Sequence, residues 1–199
     1  MTEETTTVIN VSGDLVALGP LRRDLVTLYH QWNNDFATSR TIGLSWPTTL
    51  EQEFERYVAR TQDSHAVWFT IYKCQDLRPV GLAWLYEIDH RHARASFGIS
   101  IGDEHDRGHG FGTEATCLTL DYAFNALGVQ NVMLTVLAFN NAGVRAYERA
   151  GFKVFGRRHH CSHANGQLHD LIYMECLSSE FTSPVLGRLL YDGDSNTRE

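Results

Sequence analysis

The residues best suited to chemistry form a glycine-rich loop between a predicted strand and a predicted helix. The loop reads RGHGFG over residues 107–112. Glycine tolerates positive φ, so such a loop can turn its backbone N–H groups toward a ligand. The first turn of the following helix adds unpaired N–H donors and a partial positive charge, and Arg107 adds a formal charge. These features together predict a binding site for a diphosphate.

Three other interpretations of this loop compete with that prediction. Three glycines in a strand-to-helix connection are equally compatible with a purely structural turn. A Rossmann loop would follow an early strand of a βαβ unit, whereas the strands before residue 107 are predicted to be antiparallel. A Walker loop is excluded because neither Gly-Lys-Ser nor Gly-Lys-Thr occurs in the chain.

The elements that must position this loop follow from hydrophobic spacing and from turn residues. The segment 38–49 contains Gly43, Pro47 and several hydroxyl residues, so we expect a loop there. Asn165-Gly166 is a strong turn dipeptide and predicts a final hairpin. Strands are predicted at 16–21, 67–72, 80–88, 93–101, 131–136, 154–163 and 169–177, and helices at 22–35, 50–61, 113–127 and 142–149.

Length and composition favour one acidic globular domain. The chain has 199 residues, of which 43% are hydrophobic, and its net charge is −7 with neutral histidines. We expect residues 1–178 to form the domain and 179–199 to be a polar, mobile tail. The acidic balance argues against nucleic-acid binding. The sequence has neither an apolar run long enough to span a membrane nor a basic, apolar leader, so we expect a cytoplasmic protein.

Cysteine and histidine residues give no strong metal signal. The four cysteines form no Cys-x-x-Cys pair. A cluster of potential ligands near the end of the chain could suggest a metal site. However, His159, Cys161 and His163 alternate along one predicted strand of an ordinary hairpin, so we expect no metal. The cluster comprises His159, His160, Cys161, His163, His169 and Asp170.

The loop and its surroundings resemble the GNAT superfamily of N-acetyltransferases. Arg107, Gly110 and Gly112 match the signature Arg/Gln-x-x-Gly-x-Gly/Ala of that family. The run IGDEHDRGHGFGTEA is similar to the branch of spermidine acetyltransferases and ribosomal-protein N-terminal acetyltransferases, which often carries RGKGYGTEA. His109 and Phe111 depart from that pattern without removing backbone donors.

The resemblance extends over residues 16–177. LTLDYAFNALG and LAFNNAGVRAYERAGF are similar to ordered motifs of the same branch, although Gly143 replaces an alanine. The resemblance implies an α/β (α+β) GNAT fold, with a mixed, mostly antiparallel sheet of about seven strands and helices on both faces. It also implies that acetyl-CoA is the cosubstrate and that the protein can form a homodimer.

The resemblance assigns roles to individual residues. Tyr147 would be the general acid at the CoA sulfur, and Asn140 would bind the CoA arm unless it serves only to cap a helix. The strand residues Ile99, Ser100 and Ile101 would contact the pantetheine arm, which enters where two strands splay apart. The diphosphate would be held by Arg107, Gly108, His109, Gly110, Phe111, Gly112 and Thr113.

The sequence leaves open which group is the base that deprotonates the amine. Glu87, on the strand before the splayed one, is our first candidate because the family often keeps an acidic residue there. Ordered water could remove the proton without a dedicated base. The rival side chains are Asp89, Asp103, Glu104 and His105.

The function that we expect is transfer of an acetyl group to a primary amine of a small molecule: a polyamine, an amino sugar or an amine-bearing antibiotic. Asp35, Glu51, Glu53 and Glu55 match only in part the acidic residues of spermidine enzymes, and segment 38–49 contains no carboxylate. Acetylation of a protein N-terminus is one alternative. A non-catalytic acyl-CoA-binding regulatory module is another, against which Tyr147 argues.

Overall fold

An eight-stranded sheet is the centre of the computed structural model, which describes residues 6–39, 46–164 and 166–191. The order is β1-β2-β3-β4-β5-β6-β8-β7, and every neighbouring pair is antiparallel except the parallel pair of β5 and β6. The strands are β1 (Val11–Ser12), β2 (Val16–Pro20), β3 (Val67–Lys73), β4 (Pro79–Asp89), β5 (Arg94–Ile101), β6 (Asn131–Leu137), β7 (Lys153–Ala164) and β8 (Gln167–Leu177).

The sheet confirms the predicted mixed, mostly antiparallel architecture. Seven of its strands are the predicted ones, with ends that differ by up to two residues. The eighth is β1, whose two residues are too few to show alternation. It nevertheless pairs with β2, where Val11 lies opposite Leu18.

Helices lie on both faces of this sheet, as expected. Alternation along β4 shows this directly: Leu82 packs in a cluster with residues of α1 and α3, whereas Leu85 packs in the main core with residues of α4. The helices are α1 (Val26–Asn34), α2 (Phe36–Ser39), α3 (Leu50–Gln62), α4 (Phe111–Asp121), α5 (Asn141–Arg149) and α6 (Leu186–Tyr191).

Three predicted elements differ in detail from the observed ones. The helix predicted from residue 113 starts at Phe111, and its predicted second half is a π-turn over Tyr122–Ala126. The helix predicted over 22–35 opens with a 3₁₀ turn, Arg23–Leu25. The predicted loop 38–49 overlaps α2, and its residues 40–45 lie outside the described residues.

The final hairpin has the predicted strands but an irregular path. Asn165 of the turn lies outside the described residues, while Gly166 has a φ of 76°. A bulge between Arg158 and Ser162, where His160 has a φ of 48°, interrupts the alternation that was expected along β7.

Part of the predicted C-terminal tail packs on the domain. Asp121, which is fully buried, accepts hydrogen bonds from the backbone N–H groups of Val185 and Leu186 and from the Ser183 hydroxyl. Residues 179–191 are thereby joined to the end of α4, where α6 contacts the π-turn. Residues 192–199 lie outside the described residues.

Within the described ranges, every helix is too short or too polar to cross a bilayer.

Candidate active site

The sheet opens between β5 and β6, and a cavity of about 690 Å³ fills the opening. The two strands pair only at three positions, where Arg94–Ser96 lies against Asn131–Met133. Beyond these pairs, the rest of β5 and of β6 line the cavity from opposite sides. The splayed strands expected from the resemblance are therefore present, and they leave backbone groups of both strands facing the same space.

The glycine-rich loop closes one end of this cavity. Gly108 and Gly110 have φ values of 80° and 87°, in the left-handed region that favours glycine. Gly110 is the N-cap of α4, so the first N–H groups of that helix have no intrahelical partner. Gly112 and Thr113 line the cavity in this first turn. The geometry suits an anionic group at the helix N-terminus.

Two residues of the predicted diphosphate set do not line the cavity. Phe111 is buried in the main core, and the His109 ring stacks on it at 5.7 Å between centroids. The Phe111 side chain therefore packs in the core beside the loop, and the contact of either residue with a diphosphate stays a prediction.

Arg107 lines the cavity and connects two elements around it. Its guanidinium donates hydrogen bonds to the Thr38 hydroxyl on α2 at 2.6 Å and to the Ile101 carbonyl oxygen at 3.4 Å. It forms no ion pair with a described carboxylate. Arg107 thus brings a positive charge to the loop while tying it to α2.

Glu114, which no motif singled out as functional, anchors the first turn of α4. Its carboxylate accepts hydrogen bonds from the backbone N–H groups of Asp14, Leu15 and Val16 at 3.0, 2.7 and 2.6 Å. The turn between β1 and β2 is thereby held against the start of the helix. A carboxylate near a helix N-terminus is also favoured by the helix dipole.

Tyr147 lies on α5 and lines the cavity. Its ring makes edge contacts with Phe97 on β5 and with Phe152, at centroid distances of 6.3 and 6.1 Å. Burial raises the pKa of Tyr147 to about 12, so the hydroxyl stays protonated at neutral pH. No hydrogen bond joins it to another described residue, and the group is available as a proton donor.

The predicted contacts of the pantetheine arm also reach the cavity. Ile99, Ser100 and Ile101 all line it from β5. Asn140 lines it as well, and its side chain caps α5 by accepting a hydrogen bond from the Gly143 N–H at 3.0 Å. The capping role of Asn140 is therefore observed, and its contact with CoA stays a prediction.

The structure does not bring Glu87 into the cavity lining. Glu87 has a φ of 53° at a register shift between Tyr86 and Asp89, so its exposed side chain leaves the regular alternation. Its carboxylate accepts a hydrogen bond from the Ser96 hydroxyl at 2.8 Å. The rival bases, Asp89, Asp103, Glu104 and His105, are also absent from the described lining.

Trp84 and Tyr86 line the cavity from β4, although no motif singled them out. The signal available in the sequence was alternation on that strand, because positions 82, 84 and 86 share one face. Trp84 also faces Trp68 across the strand pair, and their rings stack at 4.7 Å. The cavity therefore has an aromatic side as well as a glycine-rich end.

Comparison with known proteins agrees with this geometry. Residues 16–153 match the family model described as an acetyltransferase (GNAT) domain. Over 169 residues the chain is 32% identical to spermidine N(1)-acetyltransferase of Escherichia coli (strain K12), covering 82% of this chain and 86% of the relative.

A solved structure extends the likeness to three dimensions. Spermidine N-acetyltransferase from Vibrio cholerae, in complex with CoA and spermine, matches with a TM-score of 0.79 and 26% identity over 84% of this chain and 98% of that one. The family model covers well over half of the sequence. The chain therefore belongs to the GNAT acetyltransferase family.

Proposed function

We propose that this acetyltransferase moves the acetyl group of acetyl-CoA to the primary amine of a small molecule by direct attack on the thioester. The observation that supports this most is one continuous cavity, which joins the N-terminus of α4 to Tyr147 through the gap between β5 and β6. An elongated ligand with an anionic end fits that arrangement.

The residues present fit coenzyme A. A Cβ atom built on Gly108 would meet nothing within 4 Å, so the turn is open toward its surroundings. The free N–H groups at the start of α4 and the Arg107 charge suit a diphosphate. Backbone groups of Ile99 to Ile101 can bind amides of the pantetheine arm as a neighbouring strand would.

Acetyl-CoA supplies the activated thioester, and the chain supplies position and protons. An N–H on the splayed part of β5 can donate to the thioester carbonyl oxygen and stabilise its developing negative charge. Tyr147 is protonated at neutral pH, and burial raises its pKa to about 12, which keeps the proton in place at alkaline pH as well; its hydroxyl can donate this proton to the leaving sulfur. Direct attack requires the amine to be neutral when it reaches the carbonyl carbon.

Two routes for the amine proton follow from the observed lining. Glu87 lies outside the cavity, so a proton could reach its carboxylate only through water or after a change in the strand. Solvent that enters the open cavity can accept the proton directly. Proton transfer to solvent requires no movement of Glu87 or of its strand, and we favour this route.

The relatives support a small amine as acceptor, because both named proteins are spermidine acetyltransferases. The test is a screen that measures release of free CoA from acetyl-CoA with polyamines, monoamines, amino sugars and peptides with free N-termini. We expect turnover with at least one small amine and calorimetric binding of acetyl-CoA. Turnover confined to peptides, or no heat with acetyl-CoA, would contradict the proposal.

A further inference from the structure

An acidic residue lies directly beside the loop that would bind the diphosphate of coenzyme A. Asp106, Arg107 and Gly108 are consecutive, and all three line the cavity. Asp106 is the last residue of a 3₁₀ turn, Glu104–Asp106, and Arg107 is the C-cap of that turn. The same short turn therefore carries a carboxylate and the cation that suits an anionic ligand.

Arg78 binds this carboxylate from another part of the fold. Its Nη1 and Nη2 atoms donate to Asp106 Oδ2 and Oδ1 at 2.9 and 2.6 Å, so both carboxylate oxygens are engaged. The Asp106 side chain is 9% exposed, whereas that of Arg78 is 48% exposed. Arg78 lies in the turn between β3 and β4, where its carbonyl oxygen accepts from the Lys73 N–H and its own N–H donates to Asp76. The turn therefore fixes the backbone from which the guanidinium reaches Asp106.

Without Arg78, the Asp106 carboxylate would oppose the binding of a diphosphate. Like charges repel, and the repulsion grows where protein shields the charges from water. A buried carboxylate also needs a partner, because an isolated buried charge is unfavourable. Arg107 is the next residue in the chain, and pairing with it would consume the charge that suits the ligand. The bidentate contact with Arg78 prevents both effects.

We propose that Arg78 is a positioning residue of the diphosphate site: by pairing with Asp106 it neutralises a negative charge at the glycine-rich loop and leaves Arg107 available to coenzyme A. This inference rests on the proposed function, and it gives a role in binding to a residue outside the signature of the loop. Arg78 is not among the described residues that line the cavity, so it acts through Asp106 rather than by touching the ligand.

A neutralising ion pair and a purely structural one respond differently to substitution. If the pair only tied the loop to the turn between β3 and β4, removing either partner would weaken CoA binding. If it neutralises charge, the two partners act with opposite sign. Loss of the Arg78 cation weakens binding of an anion, whereas loss of the Asp106 charge strengthens it. Removing both charges then restores affinity close to that of the wild type.

The experiment measures the Kd for CoA by calorimetry, at one fixed low ionic strength, in the wild type, Arg78→Met, Asp106→Asn and the double variant. We expect Arg78→Met to bind CoA roughly tenfold more weakly and Asp106→Asn to bind it roughly threefold more tightly. The double variant should stay within about threefold of the wild type. Arg22→Met is the matched control, because Arg22 makes a bidentate pair with Asp24 and its loss changes the net charge equally. Its Kd should equal that of the wild type.

Two results would overturn the inference: unchanged or weaker CoA binding in Asp106→Asn, or a double variant that binds CoA as weakly as Arg78→Met. If Arg78→Met does not fold, the sign of the change in Asp106→Asn decides. The wild type separates this inference from the proposed function. No heat with CoA in the wild type would contradict both, whereas CoA binding and release by the wild type with either overturning result would contradict the role of Arg78 alone.

Discussion

The guanidinium of Arg107 donates a hydrogen bond to the Thr38 hydroxyl, with 2.6 Å between Nη2 and Oγ1. The same hydroxyl lies 2.6 Å from an Asp35 carboxylate oxygen and 2.9 Å from the Gly102 carbonyl oxygen. Thr38 is almost fully buried, with 2% exposed. One hydroxyl therefore joins α2, the end of β5 and the residue that carries positive charge into the cavity.

Replacing Thr38 by valine tests this junction. Valine keeps the shape but removes the hydroxyl, leaving Arg107 and the Gly102 carbonyl without this partner. We expect the free energy of unfolding to fall by about 1–3 kcal/mol in urea titrations and the KM for acetyl-CoA to rise. Thr61→Val is the matched control, because the exposed Thr61 hydroxyl bonds only locally to the Val58 carbonyl oxygen. Equal behaviour of the two variants would contradict the role of Thr38.

Tyr147→Phe should slow acetyl transfer without weakening CoA binding. The ring and its contacts with Phe97 and Phe152 stay, and only the proton donor is lost. Loss of a general acid typically costs a factor of about 10² or more in kcat. Steady-state kinetics give kcat, and calorimetry gives the Kd for CoA. Tyr173→Phe on β8 is the control, and an unchanged kcat in Tyr147→Phe would remove Tyr147 from the mechanism.

The raised pKa of Tyr147 predicts the alkaline side of the rate profile. Because its pKa is about 12 rather than 10.0, the group stays protonated when the pH reaches 10. We expect kcat, with both substrates saturating, to show no decline from loss of this proton up to pH 10. A descending limb near pH 10 in the wild type that is absent from Tyr147→Phe would show that the pKa is not raised.

Glu114→Gln should loosen the contact between the β1–β2 turn and the first turn of α4. The neutral amide accepts more weakly than a carboxylate, and its NH₂ group opposes one of the three backbone N–H groups that Glu114 now binds. We expect a loss of about 1–3 kcal/mol in unfolding free energy and weaker acetyl-CoA binding. Glu148→Gln, on the exposed side of α5, is the control for removing a carboxylate. Unchanged stability in Glu114→Gln would contradict the anchoring role.

The lowered pKa of Asp170 predicts how the free energy of unfolding changes at acidic pH. The His160 N–H, the Arg157 guanidinium and His159 all donate to this carboxylate and hold its pKa well below the ordinary 3.8. A lowered pKa gives stability that is present above 3.8 and is lost as the pH falls toward the folded-state pKa. The difference in stability between wild type and Asp170→Asn, from urea titrations, should therefore shrink below pH 3.8. A constant difference would contradict this linkage.

Much of the fold could be predicted because its signals are local. Alternation and turn residues located seven strands within two residues of their ends, and glycines located the loop before α4. The parallel pairing of β5 with β6 was not readable from periodicity, because it joins residues that are distant in the sequence. Its splayed end came from the family resemblance instead.

The site was predicted less completely, and backbone irregularities explain part of the difference. Regular alternation would place Glu87 on the face opposite Tyr86, but the register shift at this point turns its side chain out to solvent beside Ser96. Trp84 was not identified from the sequence for another reason. Its position beside the cavity depends on cross-strand contacts with Trp68 and Gly98, which spacing within one strand cannot reveal.

The three residue pairs between β5 and β6 have a consequence for the life of the protein in a cell. Five strands on one side and three on the other share this short seam, and a ligand that fills the gap adds contacts that the chain cannot make by itself. Its binding free energy then adds to the free energy of unfolding. Chains that lack the ligand would be degraded faster, so the amount of enzyme should follow the supply of its cosubstrate.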